Sequence, residues 1–161
     1  KRHTAQNIVI GGAAGAFPPV VGWAAVTGSL ETLPVLMFAI IFFWTPPHFW
    51  ALALLKNKDY TDNNIPMMPA VAGSKSTRIQ IFAYALIMAI FAALPALLGY
   101  AGLFYALFSS ALSTLFVAMS FWLLIAPYER QAAAAKALFA YSIFYLFLLF
   151  AGFPADKLIS I

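Results

Sequence analysis

The sequence has 161 residues, of which 64% are hydrophobic and only 9% are charged. A soluble domain carries roughly 25% charged residues, so this chain lacks the charge needed to cover a water-facing surface. The chain contains no cysteine, which excludes a disulfide, a thiolate nucleophile and a thiolate metal site. Its net charge of +4 comes from basic residues scattered at segment ends, a distribution that does not indicate nucleic-acid binding.

Five apolar segments are each long enough to span a bilayer, which takes about 20 residues. Strand-length alternation of apolar and polar residues is absent, so a β-barrel is not indicated. We therefore predict an all-α, polytopic transmembrane bundle that forms a single integral membrane domain. The predicted spans cover residues 8–26, 33–55, 78–98, 103–126 and 134–153, and a polar loop at 56–77 separates the second from the third.

Two proline pairs lie inside predicted spans. Proline removes a backbone donor and clashes with the preceding turn, so the pair at 18–19 is expected to kink the first span. The pair at 46–47 is expected to interrupt the second span. Gly11 and Gly15 form a small-xxx-small pair, which predicts the close approach of another helix.

The basic residues predict an orientation. With five spans, the N-terminus, the 56–77 loop and the connection before the fifth span share one side of the membrane. That side holds eight of the nine Lys and Arg residues, and cytoplasmic loops are enriched in both. The loop is therefore predicted to be cytoplasmic. The eight residues are Lys1, Arg2, Lys56, Lys58, Lys75, Arg78, Arg130 and Lys136.

The 56–77 loop combines acidic and basic residues beside the membrane. Asp59 and Asp62 are close enough to share a hard cation such as Mg²⁺. Lys56, Lys58, Lys75 and Arg78 could hold phosphate groups by charge and hydrogen bonds. The same composition also fits a solvated loop that follows the positive-inside rule.

His48 is an ionisable residue within an apolar segment, where such residues are expensive and by default suggest function. It could bind a porphyrin iron or act as an acid or base, or it could simply bond to a neighbouring helix. The surrounding aromatic residues could line a pocket for a flat or isoprenoid ligand, or could face lipid. They are Phe42, Phe43, Trp44, Phe49 and Trp50.

Three separated blocks carry a resemblance to a known family. They read QNIVIGGAAGAFPP at 6–19, WTPPHFWAL at 44–52, and then DY at 59–60 with IPMMP at 65–69. In order and spacing they resemble the protohaem IX farnesyltransferases, which are UbiA-type intramembrane prenyltransferases. The motifs cover about the first half of the chain.

The resemblance implies a fold of about nine helices, of which this chain looks like the C-terminal five. It implies transfer of a farnesyl group from farnesyl diphosphate to a vinyl group of haem B, giving haem O, with Mg²⁺ as cofactor. The family's first Asn/Asp-rich loop is missing here, so the missing N-terminal half is an expected partner, and the chain alone is expected to be inactive. Haem B, farnesyl diphosphate and the lipid bilayer are the other implied partners, and a bacterial plasma membrane is the implied location.

The resemblance also implies residue roles. Asp59 is the best-matched acid and is expected to act in catalysis and metal binding, whereas Asp62 departs from the family pattern at its position. Lys56, Lys58 and Arg78 are the expected diphosphate-binding residues. The expected substrate-binding residues are His48, Asn7, Trp44, Phe49, Trp50 and Tyr60.

Two other functions remain open on the sequence alone. A related UbiA-type transferase would act on a quinone precursor, although the TPPHFW block argues against it. A non-enzymatic module, such as a haem-binding subunit or a transporter fragment, would release no diphosphate in any reconstitution. A comparison of turnover with haem and with an aromatic acid distinguishes a haem farnesyltransferase from a transferase that acts on a quinone precursor.

Overall fold

The computed structural model describes residues 6–56 and 67–159, and the regular secondary structure within them is entirely helical. The first two helices together, and each of the other four, are long and apolar enough to cross a membrane. The predicted class, an all-α bundle with five membrane-spanning segments, is confirmed. The helices are α1 (Asn7–Ala16), α2 (Pro18–Thr27), α3 (Thr32–Leu55), α4 (Met68–Leu97), α5 (Leu103–Ile125) and α6 (Tyr128–Ile159).

The four long helices form a closed ring. Helix α3 packs on α4, α4 on α5, α5 on α6, and α6 returns to α3, while α1 and α2 pack on the outside of α3. Helix α3 is thus the only long helix among those described that has neighbours on three sides. About half of the residues in its second half are accordingly buried.

The ring is closed by a repeating pattern of buried residues. On three helices these residues recur at alternating steps of three and four, the spacing that places one stripe of side chains against neighbouring helices. Many of the buried positions are small or hydroxylic, which lets the helices approach closely. The stripes are Thr77, Ile81, Ala85, Met88, Ala92 and Pro95 on α4; Tyr105, Ser109, Ser113, Phe116, Ser120 and Leu123 on α5; and Leu138, Ser142, Tyr145, Leu149, Gly152 and Asp156 on α6.

The two proline pairs have different effects. The first pair begins α2 immediately after a break at Phe17, as predicted for the first span. The predicted interruption at Pro46 and Pro47 is wrong, because α3 continues through both. The hydroxyl of Thr45, just before the prolines, donates to the carbonyl of Ile41 at 2.8 Å. The two prolines leave the carbonyls of Phe42 and Phe43 without their helical donors, and the buried setting of the stretch keeps it helical.

The predicted loop at 56–77 is too long at its C-terminal end. Helix α4 begins at Met68, with Pro69 in its first turn, where a missing N–H costs nothing. Gly73 then departs from helical geometry at φ 80° and ψ 161°, a conformation that is essentially restricted to glycine. The helix restarts after this kink, and the Thr77 hydroxyl donates to the Gly73 carbonyl at 2.9 Å.

The glycine pair predicted on α1 has no described helix packed against it. Gly12 is the residue in close approach, since a Cβ atom there would lie 2.9 Å from Cγ2 of Thr45 on α3. Gly11 and Gly15 have open space around the equivalent position, so the close approach of a helix to this pair stays a prediction.

Candidate functional site

His48 lies on the side of α3 that faces α6, in an aromatic environment. The Trp44 ring stacks on the imidazole at 4.4 Å between centroids, and the Phe139 ring stacks at 4.8 Å. Phe49 meets it edge-on at 4.9 Å. His48 is buried, and its Nδ1 atom lies 2.6 Å from the hydroxyl oxygen of Ser142 on α6.

An open apolar cavity of about 480 Å³ adjoins the histidine, between α3 and α6. Its size lies within the range of small-molecule sites. Among the described residues, His48 is the one ionisable residue in its lining; the others are Ile41, Trp44, Phe139, Ile143, Leu146, Phe147 and Phe150. The arrangement can accept a large apolar molecule and offer it a single nitrogen ligand.

A second cavity, of about 310 Å³, lies between α3 and α1. Asn7 and Phe49 line it, as do Gly11 and Gly15. The two cavities share Ile41 and Trp44 in their linings and so lie side by side along α3; we call the pair the α3 groove. The sequence-predicted residues Asn7, Trp44, His48 and Phe49 are therefore brought together.

Trp50 is not part of this groove. It is fully buried in the bundle core, where its ring meets that of Tyr84 on α4 edge-on at 5.4 Å. Four further predicted site residues fall within 57–66, outside the described residues. They are Lys58, Asp59, Tyr60 and Asp62.

The charged end of the bundle lies where α3 ends and α4 and α6 begin. Lys56 is exposed just after the last residue of α3. A polar cavity of about 730 Å³ at this end has Lys75, Arg78 and Glu129 in its lining. This cavity can attract an anion, although Glu129 opposes part of the positive charge.

Arg78 has a structural contact that its predicted role did not include. Its Nη1 atom donates to carbonyls at the C-terminal end of α5, namely those of Leu123 at 3.3 Å, Leu124 at 2.9 Å and Ala126 at 3.4 Å. A helix leaves its last carbonyls without partners, and a cation there is favourable. One edge of the guanidinium thus caps α5, and the side chain also reaches the polar cavity.

Asp156 makes the matching contact at the other end of α5. One carboxylate oxygen accepts from the N–H of Gly102 at 2.6 Å, and the other accepts from the N–H of Tyr105 at 3.0 Å. Sequence reasoning did not single out Asp156 or Ser142. The available signal was that both are polar residues within or beside an apolar segment.

Residues 6–56 and 67–159 contain no group of three or more His, Asp or Glu side chains that could hold a metal ion. Within that part of the chain, the only nitrogen ligand facing the groove is His48. The acids predicted to bind Mg²⁺ lie outside it, so their role stays a prediction.

Comparison with known proteins identifies the family. Residues 1–149 match the UbiA prenyltransferase family, whose members generally use a divalent metal to bind diphosphate. No solved structure matches the chain.

The chain is 56% identical over 161 residues to "Protoheme IX farnesyltransferase 2" of Mesorhizobium japonicum, covering 99% of this chain and 51% of that protein. It is 52% identical over 165 residues to "Protoheme IX farnesyltransferase" of Rhizorhabdus wittichii, covering 99% and 54%. The chain thus spans about half the length of the curated relatives it matches. With the apolar helices and the matched residues together, the chain belongs to the UbiA prenyltransferase family.

Proposed function

We propose that this chain is the C-terminal portion of an enzyme that transfers a farnesyl group from farnesyl diphosphate to a vinyl group of haem B, giving haem O. The observation that carries the proposal is His48, a single imidazole in the lining of a large apolar groove. The names of the relatives at about 50% identity support the same substrates. A quinone precursor would give no reason to place an iron ligand at this point.

The α3 groove holds the apolar parts of both substrates. His48 binds the haem iron, with Trp44 and Phe139 fixing the plane of its ring. Aromatic faces attract positive charge, and an apolar wall excludes water, so the groove also suits the allylic cation that develops as diphosphate leaves. The vinyl group supplies the electrons for the new carbon–carbon bond as diphosphate leaves. The carbocation left on the other vinyl carbon is quenched by one water molecule, which adds as hydroxyl and releases a proton, so no protein nucleophile is required.

Diphosphate binds at the charged end of the bundle. Lys56, Lys58 and Arg78 contribute positive charge, and Arg78 also holds the end of α5. Asp59 and Asp62 bind Mg²⁺, which when bound neutralises charge on the departing diphosphate. Further metal ligands come from the part of the enzyme that this chain does not span. Tyr60, beside Asp59, contacts substrate.

The N-terminal half of the enzyme completes the groove. The open side of α1 at Gly11 and Gly15, and exposed aromatic residues such as Phe147, give this half an apolar surface to cover. Without it the groove is open to lipid, and the chain alone does not catalyse the transfer.

The test compares three preparations, each given haem B, farnesyl diphosphate and Mg²⁺, with haem O detected by mass. The chain alone should give no product, whereas co-expression with the N-terminal half of the Mesorhizobium relative should restore it. His48→Ala in the restored enzyme should weaken haem B binding, seen in the Soret absorbance, more than farnesyl diphosphate binding. Product from the chain alone would contradict the half-enzyme proposal, and an unchanged haem titration in His48→Ala would remove His48 from the site.

The enzyme lies in a bacterial plasma membrane with the charged end of the bundle in the cytoplasm. The support is the asymmetry of the basic residues between the two sides. The chain has no native cysteine, so single cysteines can report the orientation. Asn63→Cys should react with an impermeant reagent only from the cytoplasmic face, and Ser160→Cys only from the opposite face. The reverse pattern would exclude this orientation.

A further inference from the structure

The hydroxyl of Ser142 makes two short contacts that together assign the proton on His48. Its oxygen lies 2.6 Å from the carbonyl oxygen of Phe139 and 2.6 Å from Nδ1 of His48. Each contact at this distance is a hydrogen bond and needs one hydrogen between the two heavy atoms. A carbonyl oxygen carries none, so Ser142 donates to Phe139. A hydroxyl has only one hydrogen to give, so His48 donates from Nδ1 to Ser142.

This assignment leaves Nε2 as the nitrogen with the free lone pair. The imidazole is buried among aromatic rings and a serine, and the described residues place no carboxylate against it, so the neutral form with one N–H is favoured. Nε2 has no hydrogen-bond partner within the described part of the chain, and the ring lines the apolar cavity. A neutral imidazole binds iron through the nitrogen that carries no proton.

Ser142 also fixes one of the rings beside the histidine. Its backbone carbonyl accepts from the indole N–H of Trp44 at 2.9 Å, and Trp44 stacks on His48 with an interplanar angle of 18°. Ser142 on α6 therefore fixes both the position of the proton on His48 and, through Trp44, the plane of the His48 ring. The two contacts can be separated, because a substitution at position 142 removes the hydroxyl and keeps the carbonyl.

We infer that Ser142 is a positioning residue, which holds His48 as the Nδ1–H tautomer so that Nε2 is presented to the iron of the haem substrate. The inference rests on the proposed function, in which His48 binds haem. A hydrogen bond from the second nitrogen of an iron-binding or zinc-binding histidine fixes the tautomer and the ring orientation and raises the basicity of the ligand. If this hydrogen bond served only to join α3 to α6, a change of the His48 tautomer would not affect haem binding.

The tautomer can be measured without any haem. The chain has two histidines, so His3→Gln leaves His48 as the only source of ¹⁵N-imidazole signals. In the 161-residue chain in lipid nanodiscs, Nδ1 should give the protonated shift and Nε2 the unprotonated one. Ser142→Ala should move the population toward Nε2–H, and Ser142→Thr, which keeps a hydroxyl, should restore the original signals. A dominant Nε2–H form in the unsubstituted chain would overturn the inference.

Ser120→Ala is the matched control. Ser120 is fully buried on α5 and donates to the carbonyl of Val117 at 2.8 Å, the same bond three residues back along the helix, with no histidine beside it. Titration with ferric haem should show a loss of affinity of about 10- to 100-fold for Ser142→Ala, the usual cost of removing such a partner. Ser142→Thr and Ser120→Ala should stay close to the unsubstituted chain.

The outcomes separate the inference from the proposed function. If His48→Ala weakens haem binding and Ser142→Ala binds haem as Ser120→Ala does, the inference is wrong and the proposed function stands. If His48→Ala leaves haem binding unchanged, the proposed role of His48 fails, and the purpose assigned to Ser142 fails with it, whatever tautomer is observed.

Discussion

Polar side chains lie along α3 and at both ends of α5 in this apolar bundle, but their hydrogen bonding differs. At α5, Asp156 closes the N-terminal end and Arg78 the C-terminal end, and both contacts are to backbone groups. At α3, His48 uses only one of its two nitrogens for a neighbouring helix, and the ring borders a cavity. His48 thus combines a nitrogen that has no partner among the described residues with a position at a cavity, and this combination suggests a functional residue.

The two helices also differ in what covers them. Helix α5 packs between α4 and α6 and borders a cavity of about 280 Å³ that has no ionisable residue in its described lining, whereas α3 borders the α3 groove, which His48 lines. The comparison therefore predicts that substitutions at the ends of α5 act on stability, and that substitutions along the α3 groove act on binding. Substitutions at Asp156 and Arg78 test this division, and substitutions at Gly12 and Gly11 test the packing of α1 beside the groove; each can be followed by the apparent melting temperature of the chain in detergent.

Asp156→Ala should have the largest effect, a fall on the order of 10 °C. Two charge-assisted hydrogen bonds are lost, and two backbone N–H groups at the start of α5 are left without an acceptor. Asp156→Asn keeps one acceptor oxygen and should lose less. Haem affinity, corrected for the folded fraction, should not change in either variant. A selective loss of haem binding in Asp156→Asn would contradict the expectation that the ends of α5 act on stability and the α3 groove on binding.

Arg78→Ala should destabilise the chain by about 1–2 kcal/mol, because the final carbonyls of α5 lose a cation that bonds to three of them. Arg78→Lys keeps the charge without the planar fork and should recover part of the loss. In the completed enzyme, Arg78→Ala should also weaken farnesyl diphosphate binding. If both the Ala and the Lys variants are as stable as the unsubstituted chain, the cap contributes nothing measurable to the free energy of unfolding.

Gly12→Ala and Gly11→Ala should have small effects of opposite sign. A methyl group at position 12 meets Thr45 at 2.9 Å, and overpacking of this kind outweighs the gain in helix propensity, with a net cost of about 1 kcal/mol. Position 11 has open space, so the propensity gain of up to about 1 kcal/mol should appear there.

The same pair of variants sharpens the proposal for the missing half. Gly11→Ala should be harmless in this chain but costly in the enzyme completed by its N-terminal half, where this side of α1 is covered. A stabilising effect of Gly11→Ala in both settings would argue that nothing packs closely there.

The sequence predicted the number of apolar segments long enough to span a membrane, because length and apolarity are local properties. Of the aromatic residues singled out around His48, Trp44 and Phe49 line the α3 groove, because they lie within two turns of His48 on one helix, whereas Trp50 does not. The predicted interruption at Pro46 failed because membrane helices tolerate proline where packing and side-chain bonds support the backbone. The late start predicted for α4 failed because the Gly73 kink and a polar stretch at 73–78 separate its first turn from the long apolar part of the helix.

The contacts that sequence reasoning missed are long-range. Ser142 lies 94 residues from His48, and Asp156 lies 54 residues from Gly102. Nothing in the local pattern around Ser142 differs from that around Ser120, which has no histidine partner. Spacing also did not single out Gly12, the glycine of α1 that contacts α3, because it does not give the rotation of a helix about its axis. The roles of Asp59 and Asp62 stay predictions.

The charges that close α5 have a further consequence in an energised membrane. Helix α5 has 23 residues and is therefore about 35 Å long, so Arg78 and Asp156 hold opposite charges nearly one bilayer apart. With the Arg78 end in the cytoplasm, as proposed, the positive charge lies on the electrically negative side and the negative charge on the positive side. A potential of 100 mV is worth about 2.3 kcal/mol for each elementary charge that would cross it. The respiratory potential itself thus favours this orientation of the bundle over the inverted one.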